Sequence, residues 1–242
     1  MCDSSKQEQT LTSNDGNLNF WVDRWQANRI GFHRTFVSDL FKTHILPKLI
    51  SSEEKKCVVF PLCGKTLDMK AVLDLGHRVI GIEGCKAGIE AFFNENNISY
   101  EIEKDENNQC EIYKGIECSV TIYSADVFTF NKSLPSVDYI WDRGGLVAIN
   151  PSTREQYRDC LLRMMTPDQT RLFLVAINYN DPDFSGPPYV VNDDDVNHLF
   201  GSTCSSELVE VRDNTEEYRS REVARQINYI EERLHLIVRK QI

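Results

Sequence analysis

Four apolar runs in this 242-residue chain end on residues that could do chemistry. Val79-Ile80-Gly81-Ile82 ends at Glu83, Val120-Thr121-Ile122-Tyr123 leads to Asp126, and Tyr139-Ile140-Trp141 ends at the opposite charges Asp142-Arg143. The fourth, Cys57-Val58-Val59-Phe60, enters the turn Pro61-Leu62-Cys63-Gly64, whose glycine lets a backbone approach a ligand closely. Glu83 stands about twenty residues past that glycine, the spacing at which an acid accepts hydrogen bonds from ribose hydroxyls. Asp126 could accept from an adenine amino group. Gly64-Lys65-Thr66 has the tail of a phosphate-binding loop, but Val59 occupies the position of its first glycine. The three spaced glycines of a dinucleotide turn are missing as well. Acids at three tips without a polyphosphate anchor describe an adenosine cleft, which favours S-adenosylmethionine over NAD or ATP.

Parallel strands must position these tips, because ligands of open α/β sheets bind outside the carboxyl ends of the strands. Each of the four runs is short and apolar enough for a buried parallel strand, and Leu172–Ile177 is a fifth. Between them lie helical stretches: one with Leu67, Ala71, Val72 and Leu75 inward and Gly76 as its cap, another over Ala87–Asn96 with Ile89, Phe92 and Phe93 inward. Asn150-Pro151 opens a helix carrying Tyr157, Leu161, Leu162 and Met165. Ahead of the first strand, Trp21 and Trp25 share a helix face. After the break Arg29–His33, Phe36, Val37, Leu40 and Phe41 form a second helical stripe ending near Pro47. Residues 98–118 alternate and contain Asn107-Asn108, which predicts an inserted hairpin. Residues 181–190 form a Pro- and Gly-rich loop, Asp194–Phe200 a short helix, and Glu207–Arg212 with Arg233–Arg239 an antiparallel pair. The expectation is one doubly wound α/β domain, Rossmann-like, mostly parallel with an antiparallel C-terminal edge, spanning 18–242 behind a frayed tail of residues 1–17.

Composition narrows the partners. The net charge is −10, from 37 acidic against 27 basic residues, and no basic run offsets it, which argues against nucleic acid. Eight cysteines without Cys-x-x-Cys pairs predict reduced thiols and no metal site, and no apolar core follows the N-terminal methionine to make a secretory signal. No run of about eighteen apolar residues could span a membrane. A cytosolic monomer acting on a small molecule is the expectation.

Several residues also carry plainer readings. Asp142-Arg143 could be a solvated ion pair, Trp141 core, His33 structural or solvated, and Cys63 a buried, inert thiol. His77-Arg78 reads as a solvated connection. The arginines between Arg219 and Arg225 could be a solvated face.

The motifs Trp21-x-x-x-Trp25, Phe32-His33, Phe60-Pro61-Leu62-Cys63-Gly64-Lys65, Gly81-Ile82-Glu83, Ile140-Trp141-Asp142-Arg143-Gly144 with Leu146–Pro151, and Gly186–Val190 occur in an order that resembles the thiopurine S-methyltransferase family. The resemblance runs from about Trp21 to the C-terminus. It implies a cytosolic class I methyltransferase that moves a methyl group from S-adenosylmethionine to aromatic and heterocyclic thiols, releasing S-adenosylhomocysteine. It further implies cofactor contacts at Trp21, Trp25, Leu62, Gly64, Glu83, Asp126, Val127 and Arg143, a substrate wall at Phe32, and a loop over the substrate at Pro187-Pro188. A second substrate arginine is implied near Arg221, with Arg219 as the alternative, and Arg143 and Arg221 would be the catalytic pair. Gly145 stands where the family implies alanine, which reads as a mild change at a turn. A non-catalytic binding protein of the same fold, a P-loop hydrolase, and a methyltransferase for halide, sulfide or a metalloid oxyanion are the alternatives.

Overall fold

The computed structural model describes residues 17–105, 110–181, 184–220 and 227–241. The chain begins with α1 (Leu18–Gln26), α2 (Asp39–His44) and α3 (Leu46–Ile50). It then alternates through β1 (Cys57–Pro61), α4 (Leu67–Asp74), β2 (Arg78–Glu83) and α5 (Lys86–Glu95). The hairpin β3 (Tyr100–Asp105) and β4 (Cys110–Gly115) precedes β5 (Val120–Ser124), β6 (Tyr139–Arg143), α6 (Arg154–Arg163) and β7 (Arg171–Tyr179). Then come α7 (Asp193–Phe200), β8 (Cys204–Asp213), α8 (Thr215–Arg219) and β9 (Ile230–Arg239).

One nine-stranded sheet holds these strands in the order β3-β4-β5-β2-β1-β6-β7-β9-β8. The five apolar runs form its parallel centre, β5 to β7, as their two-sided burial requires. The predicted hairpin is present and adds antiparallel strands to β5, and β9 and β8 close the other edge antiparallel to β7. The Asn107-Asn108 turn lies outside the described residues. Strand residues alternate between two cores: Val58, Phe60 and Trp141 face α2 to α5, while Cys57, Val59 and Ile140 face α6 and α7. The chain leaves β1 toward β2 and later returns on its other side as β6, so the strand order reverses at β1. That reversal opens a crevice at the carboxyl ends of the strands. Among the described residues no helix is long and apolar enough to cross a membrane.

Several local expectations need correction. Asn17 is the N-cap of α1, accepting the Phe20 N–H, rather than part of a tail; residues 1–16 lie outside the described residues. Phe36 and Val37 precede α2, whose N-cap is Ser38, and Phe36 is exposed. Pro47 starts α3 instead of ending a helix, since proline fits a first turn where its missing N–H is not needed. The inner face of α4 is Asp68, Met69 and Val72, while Leu75 is the exposed C-cap. Asn150 caps a single 3-10 turn before α6 begins at Arg154. Among the described residues no helix connects β5 to β6. His77 is buried, not solvated: Nδ1 accepts the Lys56 N–H at 3.1 Å and Nε2 donates to the Leu49 carbonyl at 3.0 Å.

Candidate active site

The turn after β1 is set by backbone conformation. Leu62 and Gly64 both lie in the left-handed region, at φ 48° and 49°. Glycine adopts that region freely, whereas leucine does so only under constraint. The constraint is Glu83 at the tip of β2. Its Oε2 accepts the Gly64 N–H at 2.7 Å and its Oε1 accepts the Cys85 N–H at 2.8 Å. Burial raises the Glu83 carboxyl above its usual range, while these amides and that of Gly84 act against the shift. Each oxygen keeps a lone pair for a ligand. Lys65 also lines the crevice, but its ammonium is paired with Glu95 at 2.6 Å.

Helix α1 covers the same turn. Leu18 lies against Gly84, and an added Cβ on Gly64 or Gly88 would meet the Trp25 ring at 3.2 Å or 3.0 Å. These glycines let the indole settle directly on the backbone. Phe32 packs edge-on against Trp21 and Trp25, with ring centroids 5.2 Å and 5.7 Å apart. Opposite this aromatic group, Asp126 Oδ1 accepts the Phe128 N–H at 2.9 Å, and Val127 is buried.

At the tip of β6 the two charges part company. Successive strand residues face opposite sides, so Asp142 follows Ile140 toward α6 and Arg143 follows Trp141 toward α4. Asp142 is fully buried, with Oδ1 accepting the N–H groups of Gly145 and Leu146 at 3.0 Å and 3.2 Å. It orients the turn and does not face the crevice. Burial pushes its carboxyl up to about 6, against the Tyr157 hydroxyl and those two amides. An added Cβ on Gly145 would overlap Asp142 Oδ1 and the Tyr157 hydroxyl, so alanine there is not a mild change in this chain.

Arg143 instead meets a buried charge network. Its Nε lies 3.8 Å from Glu232 Oε1 on β9. Arg34 Nη2 donates to that same oxygen at 2.8 Å, and Arg34 grips Glu217 with Nε and Nη2 at 2.6 Å and 2.5 Å. Burial and the charge of Arg34 hold Arg143 below the usual arginine range, opposed by Glu232, Tyr218 and Asp68; it remains a cation.

These walls enclose two adjoining lobes. The first encloses about 1020 Å³ of space open to solvent. Every expected cofactor residue lines it: Trp21, Trp25, Leu62, Gly64, Glu83, Asp126, Val127 and Arg143. The second, about 640 Å³, is lined by Phe32, Arg143, Pro187 and Pro188, as expected, and by the apolar side chains of Val147, Val175 and Ile177. Trp21, Phe32, Arg143, Gly144 and Ala148 are common to both and form the waist. Arg221 lies outside the described residues. Arg219 is bound to Glu216 and the Asn228 carbonyl at 2.7 Å and 2.9 Å, on an outer surface away from either lobe. Trp141 is core, donating to Asp68 Oδ2 at 2.9 Å. His33 and Cys63 both line the first lobe; burial and Glu83 push the Cys63 thiol well up, which makes it inert. Arg34, Tyr218 and Glu232 are absent from the sequence expectations. The one available signal was Glu231-Glu232, two acids set into the apolar run of β9.

A model of the thiopurine S-methyltransferase family matches residues 16–240. A probable thiopurine S-methyltransferase of Danio rerio is 38% identical over 202 residues, covering 83% of this chain and 86% of that protein. The Bos taurus thiopurine S-methyltransferase is 35% identical over 244 residues, 99% and 98% of the two chains. Among solved structures, a Haemonchus contortus phosphoethanolamine N-methyltransferase 2 with S-adenosylhomocysteine superposes with a TM-score of 0.60 at 12% identity, covering 96% of this chain and 61% of that one. Magnesium protoporphyrin IX methyltransferase from Synechocystis reaches 0.57 at 11% identity, covering 94% and 98%. At such identities these two likenesses speak for the fold.

Proposed function

This chain belongs to the thiopurine S-methyltransferase family, and from that premise we propose that it transfers a methyl group from S-adenosylmethionine to the sulfur of aromatic and heterocyclic thiols, thiopurines such as 6-mercaptopurine among them. The observation that carries this reading is the two-lobed cleft pinched at Arg143 and Phe32. One lobe has the polar groups an adenosine needs, and the other is a mainly apolar slot with the Arg143 cation where the two lobes meet.

The first lobe fits S-adenosylmethionine on its own chemistry. Glu83 offers lone pairs to ribose hydroxyls, Asp126 faces the position of an adenine, and the Trp21, Trp25 and Phe32 rings wall the remainder. When bound, the cofactor supplies a sulfonium methyl: a C–S bond forms to the acceptor sulfur, the sulfonium bond breaks onto its own sulfur, and the two charges cancel. The protein provides orientation and exclusion of water, effects that lower such barriers by several kcal/mol, about 7–11 in well-oriented cases. Arg143 at the waist favours the anionic form of a thiol brought beside it, and Arg221 is the second arginine of this reading. Phe32, Val147, Pro187 and Pro188 line the lobe that would take the ring, which adjoins the first lobe at Arg143. The seven described cysteines are free thiols, which supports a reducing cytosolic setting; a single-domain monomer with α1 as its lid belongs to the same reading.

The test is methyl transfer to 6-mercaptopurine, thiophenol, sulfide, iodide and selenite under one set of conditions. The aromatic thiols should give the largest kcat/KM, because bare ions leave the apolar slot unfilled. A kcat/KM for sulfide, iodide or selenite above that of both thiols would overturn the substrate class.

A further inference from the structure

Glu232 is a buried carboxylate in the wall of the second lobe, its side chain 1% exposed, for which the methyl-transfer reading has no use. An ionised acid beside the arginine that should receive a thiolate is at first sight the wrong group. A carboxylate 3.8 Å from a guanidinium would ordinarily close the gap to a paired-fork contact. Here both oxygens are held back. Oε1 accepts from Arg34 Nη2 at 2.8 Å and from the Tyr218 hydroxyl at 3.1 Å, and Oε2 accepts from Asn214 Nδ2 at 2.6 Å. Arg34 is in turn clamped by Glu217. Meanwhile Arg143 Nε is buried without a hydrogen-bond partner among the described residues. Burial raises the Glu232 carboxyl, but the charges of Arg34 and Arg143 outweigh it, so the group stays ionised.

We propose that Arg34 is a positioning residue that holds Glu232 off Arg143, and thereby leaves the Arg143 guanidinium open to the anionic acceptor. This rests on the thiol reading above. Without Arg34, Glu232 has Arg143 as its remaining close cation, and in a poorly solvated site that attraction is strong enough to close 3.8 Å. The closed pair would then exclude a thiolate. Arg34, which lines the first lobe and not the second, therefore acts on substrate affinity through a third residue.

The test uses the whole protein saturated with S-adenosylhomocysteine and titrated calorimetrically with thiophenol at a pH where it is ionised. Iodide serves as a second probe that needs no thiol chemistry. Arg34→Gln should weaken thiophenolate binding by roughly tenfold or more, the scale of one lost charge-assisted contact. Arg34→Gln/Glu232→Gln should restore it to within about threefold of the wild type, because the competing anion is gone. Unchanged binding by Arg34→Gln, or a double variant as weak as the single, overturns the proposal. If Arg34→Gln does not fold, Glu232→Gln alone decides: binding at least as tight as the wild type supports the proposal, and a tenfold loss makes Glu232 a substrate ligand and overturns it. Wild-type protein that binds iodide but not thiophenolate would sink the thiol reading while the variant series on iodide still judges Arg34. Silence toward both probes overturns both.

Discussion

Asp142 keeps its carboxyl where water does not reach, and its titration follows from that. Burial lifts it from its ordinary 3.8 to about 6. Folded Asp142 therefore holds its proton to a higher pH than the unfolded chain does. The stability it contributes is complete below about pH 4 and is lost as the pH rises through about 6. An asparagine at this position keeps an oxygen for the Gly145 and Leu146 amides and does not titrate. The unfolding free energy of wild type minus that of Asp142→Asn should thus fall by up to about 3 kcal/mol between pH 4 and 7. A pH-independent difference in denaturant titrations would show that Asp142 is not desolvated as described. The arginines give a second prediction at this scale. Arg143→Ala should lower kcat/KM for an aromatic thiol by about 100-fold, and by more than Arg221→Ala does, because Arg143 lines both lobes where they meet. This ranking rests on Arg143 lining both lobes; equal or reversed losses would displace Arg143 from the chemistry. Glu83, Asp126 and Arg143 were legible in the sequence because each ends or closely follows an apolar run, where strand geometry leaves a side chain little choice of place. Arg34 and Glu232 were not, since the burial of each depends on a partner 198 positions away. No local pattern records such a pairing.

At the scale of the element, α1 lies over the site but adds little to the core. None of its nine residues is buried, yet Trp25 lies on Gly64 and Gly88, and Trp21 lines both lobes. A helix held by a few ring contacts over a site should gain order when the site fills. Trp25→Ala should therefore weaken S-adenosylhomocysteine binding by tenfold or more, the worth of one aromatic wall against a base of about 1–3 kcal/mol, while the unliganded protein loses less than about 1 kcal/mol. Calorimetry and denaturant unfolding read the two effects apart. Unchanged affinity would make α1 a passive flap. The helical character of this stretch and the apolar strands were readable from periodicity. The boundaries around Phe36 and Pro47 were not, because a stripe of apolar residues fits a turn leading into a helix as well as it fits the helix itself. The inner face of α4 was hidden for a related reason. Asp68 looks solvent-bound by type, and its burial depends on Trp141 and the Ser38 amide, which the fold delivers from elsewhere.

For the whole molecule, the reversal of strand order at β1 gathers the tips of β1, β2 and β6 and the segment after β5 around one crevice, and it does so in a protein with a charge of −10. The parallel centre could be read from five apolar runs. That β9 inserts between β7 and β8 could not, since both edge strands alternate alike and pairing order leaves no trace in either sequence. Arg34 and Arg143 are thus local cations set in an acidic body, and the net charge of −10 gives no long-range attraction for polyphosphates. Lys65 is held by Glu95, and Val59 is an interior strand residue where a phosphate loop would need glycine. The two nucleotide readings therefore diverge in a measurement on the intact protein. S-adenosylhomocysteine at about 100 times its Kd should add about 2.7 kcal/mol to the folded state. For a chain of this size that corresponds to a rise in Tm of roughly 5–10 °C. ATP at the same concentration, with or without magnesium, should leave Tm within about 1 °C of the unliganded value, since the turn after β1 lacks the glycine-rich cradle of a phosphate loop and its lysine is held by Glu95. A rise with ATP equal to that with S-adenosylhomocysteine would mean that the turn after β1 accepts phosphate after all, and with it that Lys65 leaves Glu95.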